Sequence, residues 1–237
     1  MAEFPWRADQ ARRAARARVQ LTRDEIVRTA LRIVREEGVE GVSMRRVAAE
    51  FRTGPSSLYA HVANKDELLR LMFDEICGEI RIPTEIDPAR WKEQVKELAR
   101  ESRRVLLTYN DLAGTAMAGV PTGPNALRSS EAMLSMMMAG GVPVEQAAWA
   151  LDRIFLYLAA DAMEFAMWKR SIRESGETPE HFIQGVREDL ASYYAQLSPE
   201  DLPNLRKNAE AMVSGDNGLR FEFGLDLLVD GLDRYLG

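Results

Sequence analysis

Apolar residues recur along this chain at intervals of three and four, the spacing that lays one stripe along an α-helix. Ile26, Val27, Ala30, Leu31 and Val34 form one stripe, and Met44, Val47, Ala48 and Phe51 form a second. Leu58 and Val62 anchor a shorter third segment. Trp91, Val95, Leu98, Val105 and Leu106 repeat the pattern farther on. No segment alternates apolar and polar positions as a half-buried strand would, and no internal repeat is visible, so an all-α fold is predicted.

The polar punctuation places the ends. Thr22-Arg23-Asp24-Glu25 reads as a capping box in which hydroxyl and carboxylate satisfy each other's backbone donors, and Gly38 closes that helix in the left-handed region. Ser43 caps a second helix from Met44. Gly54-Pro55 breaks the pattern and opens a third over 55–61, about two turns long. Asn64 caps a fourth that begins at Lys65 and reaches about Ile80, with Pro83 marking its end. Downstream, helices are predicted over 89–107 and 124–139, from Pro143 to about Ser171, after Thr178-Pro179, after Ser198-Pro199, and over 219–236. Asn110 caps a short piece reaching Ala118, and 119–123 is a loop. Three segments follow: a basic N-terminal extension (1–21), a three-helix head with its connecting helix (22–82), and a larger helical body (83–237).

Two short helices across a tight turn make a helix-turn-helix, whose second helix enters the DNA major groove. The same spacing also makes an ordinary corner in an all-helical protein. In the DNA-binding reading, Arg45 and Arg46 meet phosphates and Pro55, Ser56 and Ser57 stand nearest the base edges. Tyr59 reaches backbone or base, while His61 and Lys65 fix the register through phosphates. Tyr59 can equally be a core aromatic, and His61 a neutral partner of a carbonyl. Ala60 stands where a bulkier contact residue is expected, which leaves base preference open.

Net charge of −6 argues against a nucleic-acid partner, but its distribution argues for one. The first 70 residues carry 14 Lys and Arg against 10 Asp and Glu, a balance of +4, and the rest carry 17 against 27, a balance of −10. A basic head on an acidic body suits a protein that touches phosphate with its head alone. Arg12, Arg13, Arg16 and Arg18 make either a frayed tail or an arm that adds DNA contacts.

Residues 22–80 resemble the DNA-binding domain of the TetR family of transcriptional repressors, through LTRDEIVRTALRIVREEGVEGVSMRRVA and SSLYAHVANKDELL. FEFGLDLLVDGL (221–232) resembles the end of many members, and PTGPNALRSSEAML (121–134) a middle segment of one branch. The chain departs from the family at one place: where members usually carry glycine after the second helix, Arg52-Thr53 occupies the turn and Gly54 comes later. That departure leaves the angle between the two helices open. The resemblance implies a ligand-responsive repressor that binds a palindromic operator as a homodimer and is released by a small, largely hydrophobic effector. It also implies that two helices from each subunit form the dimer interface, and that an apolar pocket opens between the helices of the body.

In that body, residues 147–167 are apolar nearly all round, interrupted by Asp152, Arg153, Asp161 and Glu164. A helix of that kind is covered on every side, by a subunit interface or by a monomeric core. The last helix, with Phe221, Phe223, Leu225, Leu228 and Leu232, is its natural companion. Trp91, Met117, Met133, Met137, Asp152 and Phe155 are the candidate effector contacts, because methionine and aromatic side chains adapt to a hydrophobic ligand. Plain core packing accounts for the same stripe. Asp152 and Asp161 each suit a cationic ligand, an arginine across the dimer or water, and either one needs a partner if buried.

Enzymatic chemistry is not expected. His61 and His181 are the two histidines, no Glu-x-x-His pair or nucleophile motif occurs, and no glycine-rich phosphate loop follows a strand. No cofactor or metal cluster is predicted. The single cysteine, Cys77, permits no intramolecular disulfide and sits in an apolar helical pattern, as expected of a cytoplasmic chain. No signal peptide and no 18-residue apolar run are visible, so no membrane span is expected. The alternative function is a helical protein-interaction adaptor without sequence-specific DNA binding.

Overall fold

The computed structural model of the chain describes residues 21–109, 112, 114 and 122–236. Arg12, Arg13, Arg16, Arg18 and Met117 lie outside the described residues, as does the short piece expected after Asn110 apart from Leu112 and Gly114. Every regular element among the described residues is helical. The chain divides into two compact units, one holding residues up to 82 together with 111–131, the other holding 83–110 and 132–237.

In the first unit, α1 (Arg23–Glu37), α2 (Met44–Glu50), α3 (Pro55–Leu58) and α4 (Lys65–Cys77) enclose Ile26, Ala30, Ile33, Val47, Leu58, Leu68, Met72 and Ile76, none more than 0% exposed. Thr22 Oγ1 accepts the Glu25 amide at 3.2 Å, but the Glu25 carboxylate takes a bond from Arg28 at 2.9 Å, so only half of the expected capping box is made. Helix α3 is one turn rather than two. The Leu58 carbonyl accepts from both His61 (2.8 Å) and Val62 (2.9 Å), and the chain tightens there to bury Val62. A four-residue helix has no stability of its own. Burying Leu58 contributes about 1.5–3 kcal/mol toward holding it in place. Helix α4 stops at Cys77 rather than Ile80, because Gly78 divides its amide between the Asp74 and Glu75 carbonyls and the last residues form a tighter turn. Cys77 is buried, and that burial, with Asp74 nearby, pushes its thiol up to about 12.

Helix α5 (Trp91–Thr108) follows a 3-10 turn at Pro88–Arg90, capped where Asp87 Oδ1 accepts the Ala89 amide at 2.9 Å. Residues 124–131 of α6 (Pro124–Ala139) belong to the first unit and the rest to the second. Next come α7 (Val144–Ser175), α8 (Pro179–Ala195), α9 (Pro203–Lys207), α10 (Ala209–Val213) and α11 (Asn217–Asp230), with a closing 3-10 segment at Gly231–Tyr235. Thr178 caps α8 as expected, through a 3.3 Å bond from the His181 amide. Ser198-Pro199 opens no helix; Ser198 Oγ holds a single turn through the Asp201 amide, and the helix waits until Pro203.

Within the second unit, Val95, Leu98, Ala99, Ile154, Ala159, Phe221, Leu225 and Val229 form a core shared by α5, α7 and α11. Beside it runs a ladder of charge. Lys92 meets Asp233 at 2.5 Å, Lys96 meets Asp226 at 2.8 Å and Asp230 at 3.2 Å, and Arg100 grips Glu222 at 2.9 Å. Opposite charges every three or four residues on α5 and on the α11 end run antiparallel and fix the register of the two helices. Within a single chain helix α7 is not buried on every side. It encloses Ile154, Leu158 and Ala162 but leaves Trp149, Met163 and Met167 exposed. Helix α11 likewise buries Phe221, Leu225 and Val229 and exposes Leu219, Phe223 and Leu227.

Candidate nucleic-acid interface

The turn between α2 and α3 is closed by the backbone in a defined way. The Arg52 amide donates to the Ala49 carbonyl at 3.0 Å and the Thr53 amide reaches back to Ala48 at 3.1 Å. Those are the paired bonds of a Schellman motif, whose pivot residue must be left-handed. Arg52 is that pivot, with φ of 54°, and among the described residues no other non-glycine residue has a positive φ. The glycine-like turn is therefore made although no glycine stands there. Gly54 serves as the extended N-cap of α3, with φ of −84°. Thr53 Oγ1 and Ser57 Oγ lie 2.8 Å apart, which ties the turn to α3 and half-buries Ser57.

Arginines on α1 and α2 divide into two kinds. Arg46 donates to Glu37 at 2.8 Å and also bonds Glu50, while Arg32 meets Glu50 at 2.5 Å. The hydrogen bonds from Arg46, and then those from Arg32, hold the Glu50 carboxyl down at about 2. The same bonds to Glu37 and Glu50 hold the Arg46 guanidinium above its ordinary range. Arg46 is thus a strut within the reading head, clamped by two carboxylates. Arg45, one position away, is exposed and pairs with no carboxylate among the described residues.

Helix α3 turns one side chain inward, Leu58. Pro55 is half-buried, while Ser56, Tyr59, Ala60 and His61 are exposed, Tyr59 by 52%. Tyr59 is therefore not a core aromatic. The His61 amide caps α3 and its ring is exposed. Lys65 is the exposed first residue of α4, where Asn64 Oδ1 accepts the Glu67 amide at 2.8 Å and Glu67 reaches back to the Ala63 amide. The structure thus brings Ser56, Tyr59, His61, Arg45 and Lys65 out on the first unit and draws Arg46 and Ser57 into its scaffold. Arg52 was missed as a candidate; the signal was an arginine standing where the turn requires a left-handed residue.

Candidate effector contacts scatter. Trp91, Met133 and Met137 are buried, Phe155 is half-buried, and Asp152 is exposed with Arg153 bonded to it at 2.6 Å. Trp91 lies so close to Gly140 that a Cβ there would sit 2.2 Å from the indole. The buried carboxylate on α7 is Asp161, and it has a partner as burial requires, an arginine of the same chain rather than one across a dimer. Arg103 Nε donates at 2.7 Å, Asn217 Nδ2 at 3.3 Å, and the guanidinium lies 4.2 Å from the centre of the Phe221 ring. Among the described residues no group of three or more His, Cys, Asp and Glu is arranged to hold a metal ion. No described helix is long and apolar enough to cross a membrane.

Comparison with known proteins places this geometry. The family model described as bacterial regulatory proteins, tetR family, matches residues 26–72, and that described as tetracyclin repressor-like, C-terminal domain, matches 85–236. An HTH-type transcriptional regulator of Saccharopolyspora erythraea is 31% identical over 94% of this chain and 89% of its own length. The HTH-type transcriptional repressor DrrR1 of Streptomyces coeruleorubidus is 30% identical over 98% of this chain and 84% of its own. The crystal structure of ActR from Streptomyces coelicolor in complex with actinorhodin superposes with a TM-score of 0.80 at 40% identity, covering 92% of this chain and 100% of that one. ActR has also been solved with (S)-DNPA, at a TM-score of 0.79, 39% identity and the same coverage.

Proposed function

The chain belongs to the TetR family of bacterial transcriptional regulators, and from that premise we propose that it is a repressor. It binds a palindromic operator as a homodimer and is released by a small, largely hydrophobic effector. The observation that carries the DNA reading is the economy of α3 and the turn after it, which bury Leu58 and Val62 and leave Ser56, Tyr59, Ala60 and His61 exposed. A one-turn helix held by its neighbours, with an outward polar face, suits insertion into the major groove. In this reading Pro55 and Ser56 approach base edges, Tyr59 and His61 reach the backbone, and Arg45 and Lys65 meet phosphates. Arg46 and Ser57 act by holding the reader in shape.

The effector reading rests on ActR, solved with actinorhodin and with (S)-DNPA. We assign Trp91, Met133, Met137 and Phe155 as the apolar contacts. The effector acts by preferring a body conformation in which the two readers of the dimer no longer match the two half-sites, and so shifts the population away from the DNA-bound state. The setting is the cytoplasm, where operator and effector meet.

The test is fluorescence anisotropy of the purified protein with duplex DNA flanking its own coding region, at two salt concentrations and against a random duplex. Preference for the flanking duplex, weakening with salt and saturating at two subunits per site, is the expected result. Equal affinity for both duplexes, or none at low salt, overturns the reading and favours a protein-interaction adaptor.

A further inference from the structure

We infer that Arg52 is a DNA-contacting residue whose guanidinium neutralises an operator phosphate at the mouth of the groove entered by α3. The inference rests on the DNA-binding reading above and extends it to a residue chosen by backbone geometry. The Schellman bonds at Ala48 and Ala49 fix position 52 in the left-handed region at φ of 54°. Glycine adopts that conformation without strain, and any residue with a Cβ does not. Folding alone would therefore be served best by glycine. A strained residue that the surrounding bonds hold in place points to a use for its side chain.

The charge pattern says which use. Arg32 and Arg46 are neutralised by Glu37 and Glu50. Arg52 is exposed and, like Arg45 and Lys65, meets no carboxylate among the described residues. These three cations follow the helix-turn-helix itself: the first turn of α2, the turn before α3, and the start of α4. Arg52 stands exposed in the turn three positions before Pro55, where the chain leads into the residues that approach the bases. A cation placed there meets the sugar-phosphate backbone, which positions the reader without adding sequence preference.

The test compares wild type with Arg52→Gly and Arg52→Lys, using a duplex selected by wild type from a randomised library. Arg52→Gly is expected to raise the melting temperature by about 2–4 °C, because the turn relaxes. It is also expected to weaken operator binding and make the slope of log affinity against log salt shallower by about two per dimer. Arg52→Lys restores the slope. A more stable Arg52→Gly protein with the wild-type slope and affinity overturns the inference alone and leaves the repressor reading standing. A wild type that selects no duplex overturns both.

Discussion

Asp74 on α4 caps the start of α6 from 51 positions away: its Oδ1 accepts the backbone amides of Asn125 and Ala126, each at 3.0 Å. Asn125 Nδ2 donates in return to the Asp74 carbonyl at 3.1 Å. The first amides of a helix have no partner within it, and a carboxylate there also meets the positive end of the helix dipole. Gly123 keeps the approach open, since a Cβ on it would lie 2.2 Å from the Asp74 carboxyl carbon.

Asp74→Ala is therefore expected to cost about 1–2 kcal/mol, the ordinary value of a lost helix cap. Urea unfolding followed by circular dichroism reads it as a lower midpoint with an unchanged slope. Gly123→Ala displaces the same carboxylate, so the double variant should lose much less than the sum of the two. Additive losses would mean that the glycine acts elsewhere.

Among the described residues of the second unit, Arg103 and Asp161 form the most enclosed ion pair, with side chains 16% and 7% exposed. Removing one partner strands the other charge away from water. Asp161→Ala is expected to cost about 3–5 kcal/mol, and Arg103→Met with Asp161→Leu to recover most of it. A double-mutant cycle by denaturant unfolding measures the coupling. Little recovery in the apolar pair would show that the Asn217 bond and the Phe221 contact matter more than the charges.

Glu50 links the fold to pH. Its carboxyl titrates at about 2 in the folded protein against an ordinary 4.5. A depressed carboxylate stabilises fully above its unfolded value and loses that contribution as pH falls toward its folded one. The gap in melting temperature between wild type and Glu50→Gln should therefore be widest near pH 6 and close between pH 4.5 and 2. The cluster is exposed, so salt should narrow the gap as well. A gap that stays constant across pH would assign the effect to side-chain packing rather than charge.

How much was legible in the sequence followed the range of the interactions. The starts of α1, α2, α4 and α8 were readable because Thr22, Ser43, Asn64 and Thr178 cap amides three residues on. The inward stripe of α1 was readable for the same local reason. Ser198-Pro199 carries the same signal and makes only a turn, because no apolar stripe follows to be buried. The ladder from Lys92 to Arg100 was not readable. Its partners stand more than 120 positions away, and charges at helical spacing look the same on a solvated face. The candidate site was half legible. Ser56, Tyr59 and His61 emerged from the shortness of α3, whereas Arg45 and Arg46 looked alike until Glu37 and Glu50 were seen to claim only one of them.

Helix α11 carries Leu219, Phe223 and Leu227 in one stripe, exposed by 65%, 67% and 62%. Each is four residues from the next, while Phe221, Leu225 and Val229 hold the opposite face in the core. Exposed apolar stripes on otherwise well-packed helices mark association surfaces, and a stable dimer needs about 1,200–2,000 Å² of buried area in total. Phe223→Asp with Leu227→Asp should therefore leave the helical content and the unit core unchanged, since neither side chain is buried. It should also halve the mass measured by light scattering, because carboxylates then face one another without partners. Operator affinity should fall in parallel, since a lone reader spans one half-site instead of two. A double variant that remains dimeric would place the interface elsewhere, with α8 the next candidate, since it buries none of its residues and leaves Ile183, Leu190 and Tyr193 exposed.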